Sequence, residues 1–254
     1  MNILYLNNKE KFIAYNKHTA TKKKAPFIIF NHGLMSDMNG EKAIYLENFC
    51  QTKDYNFIRF DNFGCGQSSG LFLDQTISSW QEGLQAIINM IDDPIILIGS
   101  SLGAWIVFLA TMKNEAKISG IVTIAAAFDC TEKLIYEKLS TIQKQQLNQS
   151  GSCLVTGTGK DCSHHYPISL NLIEDGKKHL ILNQDIINIK CPVHLIHGCL
   201  DIDVPCDISK NAFEKIQTCK SVLKLIKDGD HRLSREQDLK VISNSIEEIM
   251  GLGG

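Results

Sequence analysis

The run Ile95-Ile96-Leu97-Ile98-Gly99-Ser100-Ser101-Leu102-Gly103-Ala104-Trp105 restricts the fold of this chain more than any other stretch. Four consecutive branched apolar side chains suit a strand covered on both faces, as in a parallel sheet, rather than one with a wet face. G-x-S-x-G follows, and then an apolar run at helical spacing. Glycines at 99 and 103 permit a sharp strand-to-helix turn that side chains would block. Such a turn holds the serine between them in strained backbone, with its hydroxyl exposed at the sheet end. By spacing that serine is Ser101, and Ser100 takes the variable position. The helix that starts there points its positive end at the same spot, which stabilises an anion forming on it. Alone, the turn has a second reading as tight packing or a phosphate cradle.

A serine hydroxyl is a weak nucleophile at neutral pH, so the chemical reading requires a histidine base and an acid to orient it. In a sheet of this kind they follow in the order Ser, acid, His. Two segments meet the requirement. His197-Gly198-Cys199-Leu200-Asp201-Ile202-Asp203-Val204-Pro205 follows the strand-like Val193–Ile196, and Lys227-Asp228-Gly229-Asp230-His231-Arg232 follows Ser221–Ile226. Both lie at strand C-terminal ends, where open α/β sheets assemble their sites. His231 is the candidate general base. Asp201 and Asp203 compete for the acid; Asp201 is preferred on its spacing, and Asp203 is expected to cap the helix after Pro205 or to face solvent. Acyl transfer also needs two N–H donors for an oxyanion. Leu102 supplies one, and Leu34, in Asn31-His32-Gly33-Leu34-Met35, supplies the other. His32 is expected to be a buried histidine bonded to nearby backbone.

The other histidines have weaker claims. His194 falls within a strand, His18 and His179 have ordinary polar neighbours, and the adjacent His164 and His165 read as a solvated loop rather than a metal or substrate contact. The glycine-rich Asp61–Gly70 lacks G-x-G-x-x-G at a strand-to-helix junction, so it reads as a tight turn beside the Leu34 loop and not as a nucleotide site.

Along the chain, Ile3–Leu6 and Lys11–Asn16 form a candidate hairpin. Apolar runs at Phe27–Phe30, Phe57–Phe60, Ile95–Ile98 and Ile121–Ile124 alternate with helical spacing at 44–50, 80–90 and 104–112. The alternation resumes at Val193–Ile196, Ile208–Ile216, Ser221–Ile226 and Glu236–Met250, giving eight candidate strands. Residues 130–190 break the rhythm and read as an insertion within one domain spanning 1–254. Capping-box spacing at Asp129/Glu132 and at Ser140/Gln143 predicts two helices there, the second ending before Gly151. Ser152–Pro167 reads as looped, and Ile168–Leu182 as helical.

Net charge is -2, which offers no field for nucleic acid or an anionic bilayer. No segment has the apolar length of a spanning helix, and the N-terminus lacks a leader pattern, so a cytoplasmic protein is expected. Nine cysteines without a CxxC pair indicate free thiols, most of them buried, and neither a disulfide framework nor a zinc site.

Together the Ser101 turn, His32-Gly33-Leu34, Asp61–Gly70, the His197–Pro205 segment and Gly229-Asp230-His231 resemble the α/β-hydrolase superfamily over nearly the whole chain. Gly99–Trp105, Ile173–His179 and Asp228–Ser234 look like bacterial relatives of the mitochondrial palmitoyl-protein thioesterases that also cleave acyl glucuronides. The resemblance implies a mostly parallel eight-stranded sheet with its second strand antiparallel, helices on both faces and a cap inserted after strand six. It places the acid at the H-G-x-x-D position, which is Asp201.

The expected activity is therefore hydrolysis of a carboxylic ester or thioester, either a small molecule or an acylated protein, without metal or organic cofactor. Ser101 is the nucleophile. Leu134, Ile135, Leu139 and Ile142 of the cap are expected to line an acyl cleft or to pack the cap on the body. Two other readings stay open: a non-catalytic binding protein on the same fold, and an acyltransferase.

Overall fold

The computed structural model describes residues 1–6, 9–21, 26–157 and 165–252. Its body runs β1 (Asn2–Leu6), β2 (Lys11–His18), β3 (Phe27–Asn31), α1 (Glu41–Thr52), β4 (Asn56–Phe60), α2 (Ile77–Asn89), β5 (Ile95–Ser100), α3 (Leu102–Lys113) and β6 (Ile118–Ile124). An inserted segment carries α4 (Thr141–Ser150), β7 (Ser152–Thr156), β8 (His165–Ser169) and α5 (Leu170–Gly176). The body then resumes with β9 (Val193–Gly198), α6 (Asp207–Lys215), β10 (Ser221–Ile226) and α7 (Glu236–Gly251).

Eight strands form one sheet in the order β1-β2-β4-β3-β5-β6-β9-β10. β2 is antiparallel to both neighbours, and the five pairings from β4 to β10 are parallel. The alternation of side chains along each strand explains why the central ones are apolar throughout. Ile28, Phe30, Ile96 and Ile98 pack on one face with α1 and α7. Phe27, Ile29, Ile95 and Leu97 pack on the other, with α2 and α3. Helix α3 is buried from Leu102 to Thr111, which is why its sequence has no polar stripe.

The insertion departs from its sequence-based reading in three ways. Asp129 and Glu132 do not start an α-helix; Thr131–Ile135 winds as a π-turn and Tyr136–Lys138 as a 3-10 turn. The cause is that the Asp129 carboxylate is engaged elsewhere. It accepts the N–H groups of Ile181 and Leu182, each at 2.9 Å. Ser152–Pro167 is not simply looped, because β7 and β8 pair as an antiparallel hairpin with Cys153 opposite Ile168. These strands are short and half exposed, so they lack the apolar signature of the main sheet. Helix α5 begins at Leu170 rather than Ile168, since the Ser169 hydroxyl accepts the N–H of Leu172, and it tightens into a 3-10 turn at Lys177–His179. The Ser140/Gln143 box forms as expected, and α4 ends at Gly151 with φ 74°.

Asp129 itself is buried, with φ 54°. Asp129→Asn keeps one acceptor and turns an amide N–H toward the other backbone donor. The expected loss is about 2 kcal/mol of unfolding free energy, measured as a lower denaturant midpoint at unchanged slope.

Among the described cysteines, Cys50, Cys65, Cys130 and Cys153 are buried, whereas Cys199 and Cys219 are exposed, so half rather than most are core residues. Burial pushes the Cys65 and Cys130 thiols up to about 12, which leaves them unreactive. No helix among the described residues is long and apolar enough to cross a membrane.

Candidate active site

Ser101 sits between β5 and α3 with φ 54° and ψ -122°, a conformation a non-glycine residue adopts only under constraint. The constraint is visible on both sides. A Cβ on Gly99 would lie 2.5 Å from Ala104 Cα, and one on Gly103 would lie 2.4 Å from the carbonyl oxygens of Asn31 and His32. Ser101 N–H donates to the carbonyl of Ile124 at 2.8 Å, and its own carbonyl accepts Ala127 N–H at 3.1 Å, tying the turn to the end of β6.

The loops after β9 and β10 meet beside this serine through two glycines. A Cβ on Gly198 would lie 2.3 Å from the Gly229 carbonyl oxygen, and one on Gly229 would lie 3.0 Å from Gly198 Cα. Their contact brings Asp201 and His231 into register. His231 Nδ1 lies 2.7 Å from Asp201 Oδ2, and Nε2 lies 3.2 Å from Ser101 Oγ. An ionised carboxylate only accepts, so Nδ1 carries the proton and Nε2 is left to accept from the Ser101 hydroxyl. Asp201 Oδ1 accepts the N–H groups of Asp203 at 3.0 Å and Val204 at 2.8 Å. Burial pushes the Asp201 carboxyl up, but the bonds it accepts from His197, His231 and the Val204 N–H outweigh it. The carboxyl is held well below the usual carboxylate range.

Asp203 neither caps α6, whose N-cap is Cys206 without a side-chain bond, nor turns away from the site. It lines the same cavity as Ser101. Among the described residues, Asp201, Asp203 and His231 form a cluster with metal-ligand donors, all within 4.8 Å of one another. Both oxygens of Asp201 already accept N–H bonds, so the arrangement suits a proton relay rather than a cation.

The loop after β3 faces the serine from the other side. A Cβ on Gly33 would lie 3.1 Å from Ser101 Cβ. His32 is buried; its Nδ1–H donates to the Gly33 carbonyl at 2.8 Å, and Nε2 accepts the Asn62 N–H at 3.0 Å. Desolvation lowers its pKa, which keeps the ring neutral for both bonds. In a trans peptide the C=O and N–H point opposite ways, so the His32 bond also sets the direction of the Leu34 N–H. Leu102 opens α3, and its N–H has no preceding helical carbonyl to bond.

Two residues from β4 and its following turn anchor this loop. Arg59 donates to the Met38 carbonyl at 2.7 Å and pairs with Glu47 at 2.8 Å, while Asp61 Oδ1 accepts the Met38 N–H at 2.7 Å. Asp61 Oδ2 accepts the Gln67 N–H, and a Cβ on Gly66 would lie 2.2 Å from that oxygen. Gly66 thus makes room for a buried carboxylate, while Gly64 and Gly70 make room for Gln75.

A cavity of about 760 Å³ opens over Ser101 and His231, with Leu34 and Leu102 at its floor. The inserted segment supplies much of the wall, including Leu134, Ile135, Leu139, Val155 and Tyr166. Ile142 does not join them; it is 76% exposed, because α4 turns it outward. His165 is exposed, as expected, but lies on β8 rather than in a loop; it edges the cavity and is bonded to Thr156 Oγ1 at 3.2 Å. His164 lies outside the described residues. His179 is not in ordinary polar surroundings either. Its ring bonds Ser78 Oγ at 2.8 Å and Gln81 Nε2 at 3.2 Å, and its carbonyl accepts from Trp105, which docks the insertion on α2 and α3.

Reading the sequence missed His197, which lies 3.2 Å from Asp201 Oδ2, and Ser209, which bonds His197. A histidine four residues before the candidate acid, at the next-to-last position of a buried strand, was the signal available.

Residues 22–164 match the Hydrolase_4 family, described as serine aminopeptidase, S33. The mitochondrial palmitoyl-protein thioesterase ABHD10 of Mus musculus is 31% identical over 249 residues, which are 97% of this chain and 82% of the relative. The Homo sapiens protein of that name is 30% identical over 94% of this chain and 76% of its own length. A solved structure from Agrobacterium vitis S4 superposes with a TM-score of 0.91 at 31% identity, covering 98% of this chain and 97% of that one. Mouse α/β hydrolase domain-containing protein 10 superposes at 0.88 with 29% identity over the whole of both chains. With a sheet of this order and a serine on this turn, the chain belongs to the Hydrolase_4 family and has the α/β-hydrolase fold.

Proposed function

We propose that this protein is a serine hydrolase that cleaves carboxylic esters or thioesters through an acyl-enzyme intermediate. The observation that carries the reading is the unbroken relay from Ser101 Oγ to His231 to Asp201, at 3.2 and 2.7 Å, opening into one cavity. Ser101 attacks the acyl carbonyl while His231 Nε2 takes its proton. The oxyanion that forms is held by the N–H groups of Leu34 and Leu102, which act where charge develops. His231 then returns the proton to the departing alkoxide or thiolate. In the second half, His231 draws a proton from water, the hydroxide attacks the acyl carbon, and the acid leaves as Ser101 regains its proton. Asp201 holds His231 in the required tautomer throughout.

The names of the ABHD10 relatives favour a thioester, and the apolar wall of the inserted cap favours an apolar acyl group. Leu134, Ile135 and Leu139 are the proposed acyl contacts. A fluorophosphonate probe tests the nucleophile: it should label the wild type at Ser101 and leave Ser101→Ala unlabelled, and equal labelling of both would refute the mechanism. Acyl occupancy is tested with aryl esters and thioesters of rising chain length. kcat/KM should climb about threefold to fourfold per added methylene while the chain fills the cavity; a flat series removes the acyl-side assignment.

A further inference from the structure

Asp201 has an imidazole on each side. His231 approaches Oδ2 from the loop after β10, at 2.7 Å, and His197, the penultimate residue of β9, approaches the same oxygen at 3.2 Å. His197 and Ser209 are both completely buried. Nε2 of His197 also lies 2.9 Å from the Val204 carbonyl oxygen, and Nδ1 lies 2.7 Å from Ser209 Oγ. The proton positions follow from the partners. A carboxylate and a carbonyl only accept, so Nε2 must carry a hydrogen, which it shares between them. A neutral ring then has a lone pair at Nδ1, which the Ser209 hydroxyl fills. The result is a second serine–histidine pair behind the acid, mirroring Ser101–His231 in front of it, but sealed from the cavity.

Resting on the proposed roles of Ser101, His231 and Asp201, we infer that His197 is a positioning residue for the acid. Its Nε2–H, oriented by Ser209, keeps the carboxylate turned toward His231 and disperses its negative charge. Oδ1 accepts two backbone N–H groups, and Oδ2 accepts His231 Nδ1–H with His197 Nε2 in contact at 3.2 Å, so each oxygen has two polar neighbours on the donor side. The titratable groups beside the Asp201 carboxylate are His231 and Asp203, whose donor atoms lie within 4.8 Å of it, and His197. Among them His197 is placed to donate to Oδ2 from behind without entering the cavity.

Losing that donor concentrates charge on the oxygen that faces His231, which favours the protonated imidazole. The catalytically competent neutral ring then requires higher pH. His197→Phe is therefore expected to move the acid limb of kcat/KM upward by about one pH unit and to lower kcat about tenfold, with KM unchanged. His197→Gln places an amide N–H near the same oxygen and should return the limb to its wild-type position. Ser209→Ala, a smaller change, should move the limb the same way by less, because the hydroxyl strengthens the N–H it polarises. A limb that stays put in His197→Phe, or moves equally in His197→Gln, reduces His197 to packing and overturns the inference. Should His197→Phe fail to fold, an unmoved limb in Ser209→Ala overturns it instead.

The underlying reading is judged separately by fluorophosphonate labelling of the wild type at Ser101. If no label appears, that reading fails. His197 is then read by proton NMR of the His231 Nδ1–H, which should move downfield in the His197→Phe and Ser209→Ala variants and not in His197→Gln; an unchanged resonance overturns the inference.

Discussion

Ser101→Ala is expected to lower kcat/KM for an activated ester or thioester by about 10⁴- to 10⁶-fold, measured under single-turnover conditions to exclude trace wild type. The loss should fall on kcat, because the hydroxyl acts in bond formation whereas the cavity walls that hold the substrate are untouched. Folding should be preserved. The turn is held by Gly99 and Gly103 and by bonds from its backbone to Ile124 and Ala127, none of which uses the side chain. Residual activity above water would then measure what Leu34, Leu102 and the cavity contribute without a nucleophile. Activity within tenfold of wild type would sink the mechanism.

The second large effect separates two neighbouring acids. Asp201→Asn is expected to reduce kcat by about 10³- to 10⁴-fold, while Asp203→Asn stays within about threefold. An asparagine at 201 can present its NH₂ to His231 Nδ1, forcing the hydrogen onto Nε2, where it confronts the Ser101 hydroxyl and the ring can no longer accept a proton. Asp203 supports Asp201 through its backbone N–H, which the substitution leaves in place. The reverse order of effects would reassign the acid. A stability signature accompanies it. The Asp201 carboxyl is held below its unfolded value, so its contribution is complete above the ordinary carboxylate range and fades as pH falls through the folded value. The stability gap between wild type and Asp201→Asn should therefore narrow under acid, as read by denaturant midpoints at pH 7 and pH 3.

Much of the body was legible because its strands announce themselves locally. A run such as Ile95-Ile96-Leu97-Ile98 must be covered on both faces, and its pairing with β3 and β6 follows from that burial. The elbow, the two strand-end loops and His32-Gly33-Leu34 were readable for a related reason: each glycine or histidine sits where a chain reversal needs it. Asp201 was preferred over Asp203 by its H-G-x-x-D spacing, but what carries it to His231, the Gly198–Gly229 contact between two loops, has no local signature. The inserted segment resisted for a different reason. Asp129 finds its partners 52 and 53 residues later, and no local propensity encodes that choice. β7 and β8 alternate weakly, with Leu154 outward at 56% exposure, so periodicity does not separate them from loop. His197 was visible as a residue but not as a donor, because its orientation depends on Ser209 from a helix that docks only in the folded protein.

Asp129 receives the Ile181 and Leu182 N–H groups just past the end of β6, so the polypeptide leaves the sheet and comes back through a single doorway. Between those two points lies most of the wall that an acyl chain would meet, while Ser101, His231, Asp201 and both N–H donors all lie outside it. The molecule is in this sense wired as an engine with an exchangeable fitting. On the proposed mechanism, trading the span from 130 to 180 for one of different length or composition is a route to redirecting substrate choice, with the proposed catalytic residues left as they are.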